Sequence, residues 1–260
     1  MRPIMPGFEH RDIEVNGVRI ALLVAGHGPD LVFLHGTGTF PGFDVPLRWA
    51  SRRRVIIPFH PNFGDSADSE AIAAIDDYVL HYMDLFDALG LDRVDLAGFS
   101  LGGWIAAEFA IRQPERVRRL VLIAPAGLAV AEAPPPDLFA LPPQEIPAYL
   151  THDPRLALGL FPKAPDPDFA ARLGREMQAL ARILAPHPQG SPRLARWLHR
   201  LVMPTLLLWG AEDRLMPAAQ ARHWQKALPD CRLESIAATG HLVFEETPEA
   251  GELVTSFLDR

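Results

Sequence analysis

The sequence predicts an α/β protein in which a parallel sheet is covered by helices. Three observations carry that prediction. Short apolar runs alternate with segments whose apolar residues recur at helical spacing. The runs "LVFLHG", "RVIIPF", "RVDLAG" and "TLLLWG" are continuously apolar, as strands buried on both faces should be. And 260 residues at 48% hydrophobic content are enough to bury a sizeable core.

Taken along the chain, strands are expected at 10–16, 18–24, 31–35, 54–58, 93–97, 118–124, 204–210 and 231–236. A helix is expected over 72–89, where Ile72, Ile75, Val79, Met83 and Phe86 share one face, and another over 101–112. The alternation breaks between 126 and 200. Residues 125–200 hold 14 of the 26 prolines and no convincing strand. Two helix starts are legible there. Asp166-Pro167 reads as an N-cap followed by proline at the first helical position, leading into Phe169, Leu173, Met177 and Leu180. Ser191-Pro192 repeats the signal before Leu194, Trp197, Leu198 and Leu201. An irregular loop of this length is uncommon inside a domain. The expectation is therefore a core of residues 1–125 and 201–260, with 126–200 as a helical insertion lying over the sheet.

Composition excludes several classes. Net charge is −7 and there is no long basic run, so no nucleic-acid surface is expected. Arg52-Arg53-Arg54 reads as a solvated edge before a strand. Cys231 is the single cysteine, so no internal disulfide can form, which fits a reducing compartment. The N-terminal "MRPIMPGFEHRD" has no signal-like apolar segment. The longest apolar stretch, Leu120 to Ala131, is too short to span a bilayer and contains Pro125 and Gly127. A soluble cytoplasmic protein is the expectation.

Four short motifs carry chemistry. Gly98-Phe99-Ser100-Leu101-Gly102 is G-x-S-x-G between an apolar run and a helical pattern. A sharp strand-to-helix turn there would lift the serine Oγ clear of the sheet, and the flanking glycines would relieve crowding. His35-Gly36-Thr37-Gly38 follows "LVFL", and such a turn can aim backbone N–H groups at a developing oxyanion. It does not fit a dinucleotide loop: the third glycine of "GTGTFPG" comes one residue late, and no acid ends the next strand. His35 reads as a residue that stabilises its turn. Asp213, in "LLLWGAEDRLMP", sits just past another buried strand, with Pro217 expected to restart a helix soon after. His241, in "ATGHLVFEETPE", lies between the last strand and a final helix. A neutral imidazole there could take the Ser100 proton, with Asp213 fixing its tautomer.

The order Ser…Asp…His, each after a strand, is that of the α/β-hydrolases. The chain resembles that family from "LVFLHGTG" through "LAGFSLGGW" and "PTLLLWGAEDRLMP" to "TGHLVFEETPE", over roughly 17–125 and 201–260. "HPNFGDS" is similar to the family's glycine-containing loop, with His60 read as structural. The resemblance implies an eight-stranded, mostly parallel sheet with a helical cap. It implies Ser100 as nucleophile, His241 as general base and then acid, and Asp213 as its orienting partner. Backbone N–H groups of Thr37 and Leu101 would form the oxyanion hole. No metal or organic cofactor is implied.

Serine rather than aspartate at the elbow separates this chain from the dehalogenase and epoxide-hydrolase branches. It points to cleavage of esters, thioesters, lactones or amides. A second serine branch cleaves carbon–carbon bonds in ring-fission products, and its members often carry asparagine before the nucleophile and tryptophan after the histidine. Here those positions are Phe99 and Leu242. Some members of the fold are binding proteins; those often lose a catalytic residue, and this chain keeps all three. The expected substrate is a small molecule with a small to medium hydrophobic acyl group. Phe40, Phe99, Trp104, Phe139, Phe161 and Leu242 are candidate pocket residues, with Leu141, Tyr149, Leu160, Phe169 and Met177 as further walls in the insertion. The insertion is expected to act as a lid that sets substrate choice and leaves the chemical machinery alone.

Overall fold

The computed structural model describes residues 5–40 and 42–260. Residues 1–4, which begin the N-terminal stretch discussed above, and Pro41 of the "GTGTFPG" turn lie outside the described residues. Strands β1 (Glu9–Val15), β2 (Val18–Ala25), β3 (Asp30–Leu34), β4 (Arg54–Pro58), β5 (Val94–Phe99), β6 (Val117–Ile123), β7 (Thr205–Gly210) and β8 (Cys231–Ile236) form one sheet. Its order is β1-β2-β4-β3-β5-β6-β7-β8. β2 pairs antiparallel with both β1 and β4, and every pairing from β4 through β8 is parallel. This is the α/β-hydrolase arrangement that the motifs imply.

Helices α1 (Asp44–Trp49), α2 (Ile75–Ala88) and α3 (Leu101–Arg112) connect the first strands. Between β6 and β7 come α4 (Ile146–Leu150), α5 (Pro154–Leu160), α6 (Pro167–Leu184) and α7 (Leu194–Trp197). The chain closes with α8 (Gln220–Ala227), α9 (Val243–Glu246) and α10 (Ala250–Leu258).

The continuous apolar runs have a simple cause: successive side chains enter two different cores. In β7, Leu207 and Trp209 join Tyr82, Phe109 and Trp224 from α2, α3 and α8, whereas Leu206 and Leu208 join Trp49, Val254 and Phe257 from α1 and α10. Polar alternation would leave one of these cores unfilled.

Some local expectations shift. α2 begins at Ile75 rather than 72, because Asp77 Oδ2 accepts the N–H groups of Ala73 and Ala74 and sets the helix start there. α8 begins at Gln220, three residues past Pro217; the intervening turn is held by Ala218 N–H donating to the Asp213 carbonyl and Trp209 Nε1–H to that of Met216. The three arginines are paired rather than merely solvated: Arg54 with Asp30, Arg52 with Asp259, and Arg53 with Asp259 and the Leu258 carbonyl. In the inserted stretch, Asp166 accepts from Phe169 N–H at 3.0 Å and Pro167 opens α6. α6 then buries Glu176, Ala179, Leu180 and Ile183, one stripe at i, i+3, i+4 and i+7. Ser191 Oγ accepts from Arg193 N–H at 3.3 Å ahead of α7, which is only four residues long.

Candidate active site

Ser100 sits at the junction of β5 and α3 with φ 52° and ψ −115°. That conformation is costly for a residue with a side chain, of order 1–3 kcal/mol, and persists only where the surroundings dictate it. Here they do. Its N–H donates to the Ile123 carbonyl at the end of β6, and its carbonyl accepts from Ala126 and Trp104. The flanking glycines are required by contact. A Cβ at Gly98 would lie 2.4 Å from the Gly102 carbonyl oxygen, and one at Gly102 would lie 2.1 Å from that of Leu34.

The hydroxyl so exposed meets an imidazole. His241 Nε2 lies 3.0 Å from Ser100 Oγ, and His241 Nδ1 lies 2.9 Å from Asp213 Oδ2. All three side chains are buried. Asp213 is anchored through its other oxygen, which accepts from Leu215 and Met216 N–H at 2.9 and 2.8 Å. With Nδ1–H directed at a carboxylate, Nε2 is the acceptor facing the serine, the tautomer a general base needs. Neighbouring Glu212 turns elsewhere, accepting from Thr239 N–H at 2.9 Å.

Two backbone segments share a cavity with the hydroxyl. Leu101 opens α3, where the first N–H groups lack intrahelical acceptors. Thr37 lines the same cavity as Ser100 and Leu101, on the turn after β3. That turn is braced by two buried histidines. His60 N–H donates to His35 Nε2 at 3.1 Å, so His35 carries its proton on Nδ1, directed at the Gly36 carbonyl. His60 Nε2–H in turn donates to the His35 carbonyl at 2.8 Å, and its Nδ1 accepts from Tyr82. Burial lowers His35 to about 4 and His60 well below its ordinary value, so both are neutral scaffolding near pH 7. The structural reading of both residues agrees with this geometry.

The profile of the alpha/beta hydrolase family matches residues 31–251. The chain belongs to the alpha/beta hydrolase family. Among its relatives, the 2-hydroxymuconate semialdehyde hydrolase of Pseudomonas putida is 30% identical over 267 residues, covering 95% of this chain and 93% of the relative. Carboxylesterase YbfK of Bacillus subtilis is 30% identical over 246 residues, covering 88% and 80%. Among solved structures, a membrane phospholipase A described as a bacterial virulence factor superposes with a TM-score of 0.81 at 27% identity, covering 97% of this chain and 86% of that one.

In this hydrolase a cavity of about 390 Å³ opens on Ser100. That lies in the range of small-molecule sites, about 300–1,000 Å³. Of the expected pocket residues, Trp104 and Phe139 line it. The others do not. Phe40 and Phe161 stack 5.0 Å apart and, with Phe169, border a separate cleft of about 260 Å³ beside Thr39 and Gly64. Phe99 is outside this lining: its ring packs against that of His241, 5.0 Å between centroids, and borders a separate small cavity with Gly36 and Phe244. Leu242 is buried, and its N–H donates to the Leu150 carbonyl at 2.8 Å. Leu141, Tyr149, Leu160 and Met177 are likewise absent from the lining. Sequence reasoning missed Leu138, Leu180, Leu184, Leu215 and Met216, which form much of the wall. The α6 stripe carried the signal for Leu180 and Leu184, but choosing aromatic residues hid it.

Glu246 was also missed. It accepts from Gly240 N–H, next to His241, and from His152 and Asp153 N–H in the inserted stretch, so it joins that stretch to the histidine loop. Among the described residues no group of three His, Cys, Asp or Glu side chains is placed to hold a metal ion, and no helix is long and apolar enough to cross a membrane.

Proposed function

We propose that the chain is a serine hydrolase that cleaves carboxylic esters with small to medium hydrophobic acyl groups through an acyl-enzyme. Ser100 Oγ attacks the ester carbonyl carbon while His241 Nε2 takes its proton. Asp213 steadies the imidazolium that forms. The oxyanion is met by the N–H groups of Thr37 and Leu101. His241 then returns the proton to the departing alkoxide, and water releases the acid by the same steps in reverse order. Residues 126–200 form a cap that supplies the cavity's outer wall.

The observation that carries the ester reading is the lining of the cavity at Ser100. It is mostly apolar, and among the described lining residues there is no lysine, arginine or histidine; its charged side chain is Asp137. Such walls suit a neutral acyl chain and disfavour an anionic one. Identity with the 2-hydroxymuconate semialdehyde hydrolase supports a second reading, cleavage of a carbon–carbon bond in a ring-fission product. The substrate named for that relative carries a carboxylate, for which this cavity offers no cation.

Both readings are tested by one screen: nitrophenyl esters of graded acyl length beside a dienone acid whose carbon–carbon bond is cleaved. Ester turnover should exceed dienone turnover; the reverse selects the second reading. A fluorophosphonate should label the intact chain once, and Ser100→Ala should abolish labelling and lower kcat by on the order of 10⁶. Labelling that survives Ser100→Ala would overturn the assignment of the nucleophile.

A further inference from the structure

One side chain of α6 reaches out of the inserted stretch to the turn that carries Thr37. Glu176 is buried, and its carboxylate accepts three hydrogen bonds from elsewhere in the chain. Oε1 accepts from Thr39 Oγ1–H at 2.7 Å and from Gly64 N–H at 2.9 Å, and Oε2 accepts from Thr39 N–H at 3.3 Å. Adjacent Arg175 reinforces the junction by donating to the Gly64 carbonyl and pairing with Asp68. Thr39 is two residues from Thr37, and between them lies only Gly38.

A carboxylate is an expensive choice here. The other members of the stripe are Ala179, Leu180 and Ile183, and a leucine at 176 would continue it without desolvating a charge. What a leucine could not do is hold two backbone N–H groups, one on the Thr39 turn and one at Gly64. The histidine pair braces the turn at His35; beyond Gly36, a glycine-flanked segment left without the Glu176 hold has more freedom to swing its N–H groups, and electrostatic stabilisation depends on donors fixed in advance.

We propose that Glu176 is a positioning residue, clamping the turn at Thr39 so that the Thr37 N–H stays aimed at the oxyanion formed at Ser100. The inference rests on the proposed chemistry of Ser100. It also amends the expectation that the insertion governs substrate choice alone, since α6 then contributes to the rate of the chemical step for any acyl group.

The test uses the full chain and nitrophenyl acetate, with active serines counted by fluorophosphonate titration to the end point. Glu176→Ala should lower kcat per titrated serine by about 10- to 100-fold, less than the 10²–10³ lost when an oxyanion donor is removed outright, with KM changed by no more than about twofold. Glu176→Gln keeps an acceptor oxygen for Thr39 Oγ1–H and Gly64 N–H but turns its NH2 toward Thr39 N–H, so it should recover part of the loss and fall between Glu176→Ala and the wild type. Thr39→Val, which removes one bond from the opposite side and preserves shape, should lower kcat several-fold and decides the matter if Glu176→Ala does not fold. A folded Glu176→Ala chain with unchanged kcat per serine, even with a lower Tm, overturns the proposal, as does a change confined to KM. Failure of the wild-type chain to label at Ser100 would instead overturn the reading of the site on which the proposal rests.

Discussion

Asp213 Oδ2 lies 2.9 Å from His241 Nδ1, while Asp213 Oδ1 is occupied by the N–H groups of Leu215 and Met216. The carboxylate is therefore oriented by the backbone before it meets the histidine. Asp213→Asn would place an amide where the acceptor is needed and favour the wrong imidazole tautomer. It should lower kcat on nitrophenyl butyrate by about 10⁴. Glu212→Gln retains an oxygen for Thr239 N–H and should change kcat little. The reverse ranking would show that the acid had been misassigned.

Gly102 is closed in by backbone, with the Leu34 and His35 carbonyl oxygens 2.1 and 2.4 Å from where a Cβ would sit. Carbonyls at the end of β3 cannot move aside as a flexible side chain would. Gly102→Ala should therefore destabilise the fold by about 3 kcal/mol or more, at the upper end of overpacking costs. Urea unfolding measures this directly. A wild-type midpoint would mean that α3 can slide away from β3 at little cost.

His81, on α2, is buried; its Nε2 has no hydrogen-bond partner among the described residues, and burial lowers it to about 4 from an ordinary 6.5. The unfolded chain binds the proton more readily, so this group's contribution is intact above pH 6.5 and is lost as pH falls toward 4. Each pH unit below 6.5 costs about 1.4 kcal/mol until the folded value is reached, hence about 2 kcal/mol at pH 5. His81→Leu should flatten the pH dependence of the urea midpoint between pH 7 and pH 5. An unaltered slope would mean that other groups, such as the buried His35 and His60, set the acid sensitivity.

The central strands β3, β4, β5 and β7 were legible because each has two buried faces, which forces an unbroken apolar run between turn signals. Ser100 and Asp213 were legible for a related reason: each follows such a run, His241 follows the half-buried β8, and parallel strands carry their C-terminal ends to one edge. The cavity wall was not. Phe40 and Phe161 are aromatic residues that found each other, and Phe99 found His241, whereas the aliphatic Leu180 and Leu184 face the space above Ser100. Side-chain type does not say which neighbour fills a gap in the insertion. Glu176 did leave a trace, as a charge on the apolar stripe of α6, three residues before Ala179 and four before Leu180. Its partners at Thr39 and Gly64 are over a hundred residues away, and no local pattern could supply them.

Leu184 offers the most direct measure of where the acyl chain lies. It is half-buried near the C-terminal end of α6 and lines the cavity with Leu180 and Trp104. Leu184→Trp adds bulk at the cavity wall and narrows the space above Ser100. Each buried methylene contributes about 0.8 kcal/mol, so excluding about three of them should lower the octanoate-to-acetate ratio of kcat/KM by about 50-fold. Phe139→Ala, at a residue 49% exposed on the same lining, should alter that ratio far less. A profile of acyl lengths unmoved by Leu184→Trp would place the chain outside this cavity. The cleft bordered by Phe40, Phe161 and Phe169 would then be the alternative, and Phe161→Ala should move the profile in its place.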